Sequence, residues 1–153
     1  MEIDSDHEIK FLNIGKKFGS CVANQDISFS IQKNTIHAIV GENGAGKSTI
    51  MKILFGIYQA DSGTIQIRDK FVSFSSPREA MKYSIGMVHQ HFMLSPVHTA
   101  LENILMVDAD QNPLENYFKS DKIKKIKSTA ELYKFEIPWD TPVCELGVSV
   151  QQR

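Results

Sequence analysis

Apolar and polar side chains alternate at Ile9–Ile14 (IKFLNI) and again at Ile27–Ile31 (ISFSI), the period of strands with one face in a core. Joined through the Gly15–Gly19 region, the two segments predict a small antiparallel sheet. Thr35–Val40 (TIHAIV) is different, because its nearly continuous apolar run has the pattern of a parallel strand covered on both faces. Beyond it, Ile50, Ile53 and Leu54 recur at helical spacing, and Gly56 marks the stop of that helix. Asp61-Ser62-Gly63 is a turn signal, and Thr64–Arg68 alternates again, which predicts a further strand.

The second half of the chain reads as mostly helical. Ser76-Pro77-Arg78-Glu79 has a serine at the N-cap, proline at the first helical position and glutamate two places later, a capping box that starts a short helix through Met81 and Tyr83. Ile85–Val88 is then a short strand that delivers Gln90 at its end. Thr99-Ala100-Leu101-Glu102 is a second capping box, opening a helix with Leu101, Ile104 and Leu105 inward. After a break at Asn112-Pro113, Asp121–Phe135 carries one stripe of Ile123, Ile126, Ala130 and Tyr133, which reads as core. Pro138 and Pro142 bracket a loop around Trp139, and Leu146–Arg153 begins a last helix. Strands and helices in this order predict an α/β fold.

Between the Thr35–Val40 strand and the helix that follows lies GENGAGKST, which contains a complete GxxxxGK[ST] phosphate-binding loop from Gly41 to Ser48. Gly41, Gly44 and Gly46 allow positive φ and close approach of the backbone to phosphate oxygens. The inward N–H groups of Glu42, Asn43 and Ala45 then merge with the free N–H groups of a helix opening near Lys47, where the macrodipole also favours negative charge. Lys47 supplies a point charge for the β and γ phosphates, Ser48 a hydroxyl for Mg²⁺, and Thr49 continues the helix. The spacing excludes a dinucleotide fingerprint, which runs GxGxxG and has no use for a Lys-Ser pair. A nucleoside triphosphate with Mg²⁺ is the expected ligand.

Composition narrows the class further. The 153 residues are 42% hydrophobic and 23% charged, enough for one domain with a core. With 17 basic and 18 acidic residues the formal net charge is −1, so no global field recruits nucleic acid. Lys119, Lys122, Lys124, Lys125 and Lys127 form a local basic run that reads as a solvated helix face. The start, MEIDSDHEIK, lacks the charged-then-apolar order of a signal peptide, and no apolar stretch approaches the ~20 residues that span a bilayer. Cys21 and Cys144 lie far apart without a CxxC spacing, the pattern of reduced thiols in the cytosol. His89 and His91 share one side of a strand but have no third ligand at a spacing suited to a metal, and His98 flanks a helix.

The phosphate loop, the strand-ending glutamine in MVHQHFML, the TALENI helix start and the terminal VCELGVSVQQR occur in an order that resembles the ATP-binding subunit of ABC transporters, most of all the sugar or nucleoside import type. The resemblance covers essentially the whole chain. It implies an ABC-type P-loop ATPase fold in truncated form: an antiparallel β subdomain, a partial RecA-like core, and the start of an α-helical subdomain. Residues 1–97 would hold the β subdomain, P-loop core and Q-loop, and residues 98–153 the helical part. It makes Gly41–Thr49 the Walker A segment and Phe18, in KKFG, the aromatic that stacks on adenine. Packing in a turn or core is the other reading of Phe18. Gln90 becomes the Q-loop glutamine that touches Mg²⁺ or the attacking water, and His91–Pro96 the segment facing a membrane subunit. The implied partners are transmembrane permease subunits, a second ATP-binding domain and, indirectly, a solute-binding protein. The implied location is cytoplasmic, on the inner face of the cell membrane.

Two departures from the family pattern bear on activity. Where the family has LSxGQ, this chain has Leu146-Gly147-Val148-Ser149-Val150, with glycine in the place of the hydroxyl and serine in the place of the glycine. The chain also reaches Arg153 before any Walker B strand or catalytic glutamate. The expectation is therefore a polypeptide that binds Mg-ATP with little or no hydrolysis, being a truncated or split subunit or a remnant. Other P-loop enzymes, such as nucleotide kinases or GTPases, leave the Q-loop and terminal motifs unexplained and have no NKxD guanine-reading motif here. A non-hydrolysing docking partner of a transporter remains open beside the leading reading.

Overall fold

The computed structural model describes residues 7–89, 93–107 and 120–152. It falls into two compact units, one running to Val88 and one starting at His89.

In the first unit, strands β1 (His7–Phe18), β2 (Cys21–Gln32), β3 (Ser62–Ile67) and β4 (Lys70–Val72) form an antiparallel sheet in the order β2-β1-β3-β4. The β1–β2 pairing sets Phe11 opposite Phe29 and Ile14 opposite Ile27, which is the register the alternation requires if both apolar sets are to share a face. The turn sits at Gly19-Ser20, later than the expected Gly15–Gly19 region. Gly15 stays in β1 at a register shift against both β2 and β3, where a Cβ would run into the Ser62 hydroxyl, so this glycine serves close approach and not the reversal. β4 escaped the sequence reading; it is a three-residue strand paired to β3 across a turn at Arg68 and Asp69, both in the left-handed region.

Helix α1 (Lys47–Leu54) buries Ile50, Ile53 and Leu54, as their spacing predicts. It ends with Gly56 at φ 75° and with Ile57 N–H donating to Lys52 O at 2.9 Å, a glycine stop that satisfies carbonyls of the last turn. Helix α2 (Pro77–Lys82) starts at Ser76, yet the Ser76 side chain makes no capping bond. Glu79 instead accepts from the Ser75 N–H at 2.7 Å, so only the reaching-back half of that box forms, displaced by one residue. Phe11, Ile14, Ile65, Ile67, Phe74 and Ala80 pack with the buried face of α1 into one core.

Two expected strands are absent. Residues 35–40 and 85–88 form no regular element, and Ile36, Val40 and Val88 are 102%, 91% and 97% exposed. Their apolar patterns describe burial between parallel neighbours, and among the described residues no strand pairs with either segment. A strand without a ladder partner leaves its N–H and C=O groups unpaired, so apolar side chains alone do not hold it extended. Residues 35–40 stay close to β2 through His37, whose ring stacks on Phe29 with centroids 5.8 Å apart.

The second unit holds α3 (Ala100–Val107), α4 (Ser120–Leu132), a 3₁₀ turn at Val143–Glu145 and α5 (Val148–Gln151). The Thr99–Glu102 box forms in full: Glu102 Oε2 accepts from Thr99 N–H at 2.8 Å, and Glu102 N–H donates to Thr99 Oγ1 at 3.2 Å. Of the α3 positions expected inside, Leu105 is buried, Leu101 is half-buried and Ile104 is exposed. The buried neighbour is Asn103. On α4 the stripe holds for Ile123, Ile126 and Ala130. It fails at Tyr133, which is exposed just past the helix end, and Lys134 at φ 57° takes the chain out of helical geometry. The Asn112-Pro113 break lies outside the described residues.

Phe11 is fully buried at the centre of the sheet, whereas Phe71 on β4 is 68% exposed. Phe11→Ala is expected to lower the unfolding free energy by about 3–5 kcal/mol in urea titrations. The same truncation at Phe71 should stay within about 0.5 kcal/mol.

Candidate functional site

The loop Gly41–Thr49 has the geometry of an anion cradle. Ala45 N–H closes a turn on Glu42 O at 3.2 Å, and Gly44 and Gly46 take φ of 86° and 79°. Gly41 does not adopt positive φ, so of the three glycines two turn the backbone and the first does not. Gly46 is the N-cap of α1, and no side chain caps the helix. With no acidic residue in the first turn either, the leading N–H groups and the positive end of the dipole remain available to an anion.

Gly46 is fixed from below by β2. A Cβ there would run into the Ala23 carbonyl and the Asn24 amide, so only glycine lets the loop lie this close to the strand. Gly46 O accepts the first helical bond of α1 from Ile50 N–H at 3.1 Å and a second from Asn24 Nδ2 at 3.3 Å, which ties the helix start to β2. Asn24 is 6% exposed, and its Oδ1 has no partner. Sequence reasoning missed this residue, because the alternation of Ile27, Phe29 and Ile31 puts position 24 on the outer face and only the bulge beside Asp26, at φ 51°, turns it inward.

Lys47 is half-buried, and its Nζ donates to Gly41 O at 2.7 Å and Glu42 O at 2.6 Å, spanning the loop from its far side. Ser48 is exposed at the first turn of α1. A cavity of about 320 Å³ runs behind the loop between Ile27, Phe29, Ala38, Val40 and Ile50. The donor set matches the chemistry of a phosphate chain: uncapped N–H groups, one lysine ammonium and one exposed hydroxyl on a single turn.

Phe18, at the end of β1, is 42% exposed and meets Tyr58 edge-to-face with ring centroids 5.0 Å apart. Asp61 lies beside the same strand end. Its carboxylate accepts from Lys16 Nζ and from Lys17 N–H, both at 2.7 Å, and the Lys16 bond, followed by the Lys17 one, holds its pKa below the usual value.

Gln90 and His91 lie outside the described residues. The segment that follows is anchored by Asn103, whose Nδ2 donates to the carbonyls of Ser95, His98 and Thr99 while its Oδ1 accepts from Ser95 N–H at 2.7 Å. Ser95 Oγ also bonds His98 Nδ1 at 2.7 Å. Met93 and Val97 stand exposed on this anchored segment, at 81% and 75%. At Leu146–Val150, Gly147 is the extended N-cap of α5, and Gln151 Nε2 closes the region by donating to Val143 O and Leu146 O. Among the described residues no three His, Cys, Asp or Glu side chains cluster as a metal site. No described helix is long and apolar enough to cross a membrane.

The sequence profile of the family described as ABC transporter matches residues 24–151. The guanosine import ATP-binding protein NupO of Bacillus subtilis is 38% identical over 148 residues, which is 97% of this chain and 29% of that protein. The nucleoside import ATP-binding protein NupA of Lactococcus lactis is 38% identical over 95% of this chain and 28% of its own length. This chain thus spans under a third of these relatives. Among solved structures, the ADP conformation of an ATP-binding cassette of an ABC transporter superposes with a TM-score of 0.72 at 27% identity, covering 95% of this chain and 61% of that one.

The Asp61 contacts give the site a pH signature. A carboxylate with a depressed folded pKa adds stability above its unfolded value and loses it as pH falls through the lowered one. Thermal melts of Asp61→Asn should therefore differ from wild type by a constant amount from neutral pH down to about pH 5, and the difference should shrink below about pH 4.

Proposed function

Because the chain belongs to the ABC transporter family, we propose that it is the ATP-binding component of an importer of the sugar or nucleoside class. The observation that carries this reading is the cradle at Gly44, Gly46 and Lys47, with α1 opening uncapped behind it. In the reading, the N–H groups of Gly44, Gly46, Lys47 and Ser48 wrap the β and γ phosphates of ATP, Lys47 places its ammonium against them, and Ser48 offers its hydroxyl to Mg²⁺, while Ala45 N–H stays in the turn on Glu42 O. Bound Mg²⁺ would neutralise charge between the phosphates. The loop's own part is to orient the phosphate chain along the helix axis.

Gln90 is assigned to the Mg²⁺ and water side of this site, and Phe18 to the base. The importer class rests on the nucleoside importers this chain resembles and extends to the permease subunits and second ATP-binding domain such a component works with. It places the chain at the cytoplasmic face of the membrane through those subunits. The exposed Met93 and Val97, on a segment braced by Asn103, offer an apolar surface for a permease.

We also propose that these 153 residues by themselves bind Mg-ATP without turning it over. In the family pattern LSxGQ a serine hydroxyl and a glycine backbone grip the γ phosphate, and this chain has Leu146-Gly147-Val148-Ser149-Val150 there, with glycine and serine in exchanged places. A missing donor and an added side chain in so tight a phosphate contact each cost about 1–3 kcal/mol.

Titration with a fluorescent ATP analogue in the presence of Mg²⁺ tests the binding half. Lys47→Ala should weaken binding about 10–100-fold, the size of a lost charged hydrogen bond. Equal affinity in the two proteins would remove the proposal. Phosphate release by the wild-type chain that Lys47→Ala abolishes would instead contradict the statement about turnover.

A further inference from the structure

The Phe18 ring has charged and aromatic neighbours that its assignment to the base does not use. Lys16, two residues earlier and so on the same side of β1, holds its Nζ over the ring, 5.5 Å from the centroid. That ammonium is bonded to Asp61 Oδ1 at 2.7 Å, and the Lys16 side chain is only 15% exposed. Asp61 is immobilised in turn, because its second oxygen accepts from Lys17 N–H and its own N–H donates to Gly15 O at 2.9 Å. One aspartate therefore ties Gly15, Lys16 and Lys17 of β1 to the start of β3.

Tyr58 braces the ring from the same connection. It meets Phe18 at an interplanar angle of 69°, lies under Lys52 Nζ at 5.5 Å, and donates its N–H to Lys52 O at 3.2 Å. Lys52 is in the last turn of α1, the helix whose first residue is Lys47. Phe18 is thus connected, contact by contact, to the helix that carries the phosphate cradle.

An aromatic ring at a strand end that turns freely loses that freedom when a base stacks on it, and a ring already held does not. A cation fixed over the π face supplies such a hold, and burial of its stem strengthens it. The geometry points to Lys16, held by Asp61, as a positioning residue that fixes the Phe18 ring for stacking on the base of a nucleoside triphosphate. The inference rests on the ATP-site reading above and assigns no phosphate contact to Lys16.

Calorimetric titration of the whole chain with Mg-ATP and with Mg-tripolyphosphate, which has the phosphates but no base, tests it. Lys16→Met and Asp61→Asn should each weaken ATP binding about 3–10-fold, in the range of one partly desolvated cation–π contact. Tripolyphosphate affinity should stay within about twofold, because the hold acts on the ring alone. Lys16→Arg should restore ATP affinity, since a guanidinium keeps both the stacking and the Asp61 pair. Should Lys16→Met fail to fold, as judged by circular dichroism, Lys16→Arg against Asp61→Asn carries the same comparison. Unchanged ATP affinity in the Lys16 and Asp61 variants overturns the inference. An equal loss for ATP and tripolyphosphate overturns it too, because it makes Lys16 a phosphate contact or a support of the fold. Phe18→Ala separates this inference from its premise: if that variant also binds ATP normally, the stacking reading itself fails, and if it alone binds weakly, only the role of Lys16 does.

Discussion

The close approach of Gly46 to β2 is the constraint on which the site depends. A phosphate chain can be held by backbone only if successive N–H groups converge and no carbonyl intrudes among them. Positive φ at Gly44 and Gly46 produces the convergence, and the Gly46 carbonyl is kept out of it by Ile50 N–H of α1 at 3.1 Å and the Asn24 amide at 3.3 Å. The absence of a Cβ at Gly46 is what permits the contact, since the Ala23 carbonyl occupies that space. Strand β2 is itself placed by the Phe11–Phe29 and Ile14–Ile27 pairs on β1, so the aromatic and aliphatic core of the sheet sets the position of the loop.

The buried Asn24 Oδ1 has a cost attached. An unpaired acceptor at such a position lowers stability by about 1–3 kcal/mol. The amide orientation is set by the Nδ2 bond to Gly46, since the reverse placement would put Oδ1 against that carbonyl, which already accepts from Ile50 N–H. The loop is thus held at the expense of local stability, as functional sites commonly are.

What could be read from the sequence was whatever depends on a residue and its near neighbours. The period-two pattern gave β1, β2 and β3, the spacing of Ile50, Ile53 and Leu54 gave α1, and Thr99 with Glu102 gave a complete capping box. The phosphate loop was legible for the same reason, because its turn and helix start are local. Elements that need a distant partner were not. Thr35–Val40 and Ile85–Val88 have the side chains of buried strands but no described ladder partner, and remain irregular. Asn24, Tyr58 and Asp61 act across separations of 22, 40 and 45 residues, on Gly46, Phe18 and Lys16 respectively, and nothing in a local pattern announces such pairs. Ile104 and Tyr133 were misplaced because a helical stripe fixes a face but not where its edge meets solvent.

Because the cradle is built of backbone N–H groups, amide chemical shifts report on it without an intermediary. Titration of the ¹⁵N-labelled chain first with Mg-tripolyphosphate and then with Mg-ATP should give saturable shifts at Gly44, Gly46, Lys47 and Ser48 with both ligands. Shifts spread over other surfaces with these four amides unmoved, or no shifts at saturating ligand, would contradict the cradle's role as the phosphate site.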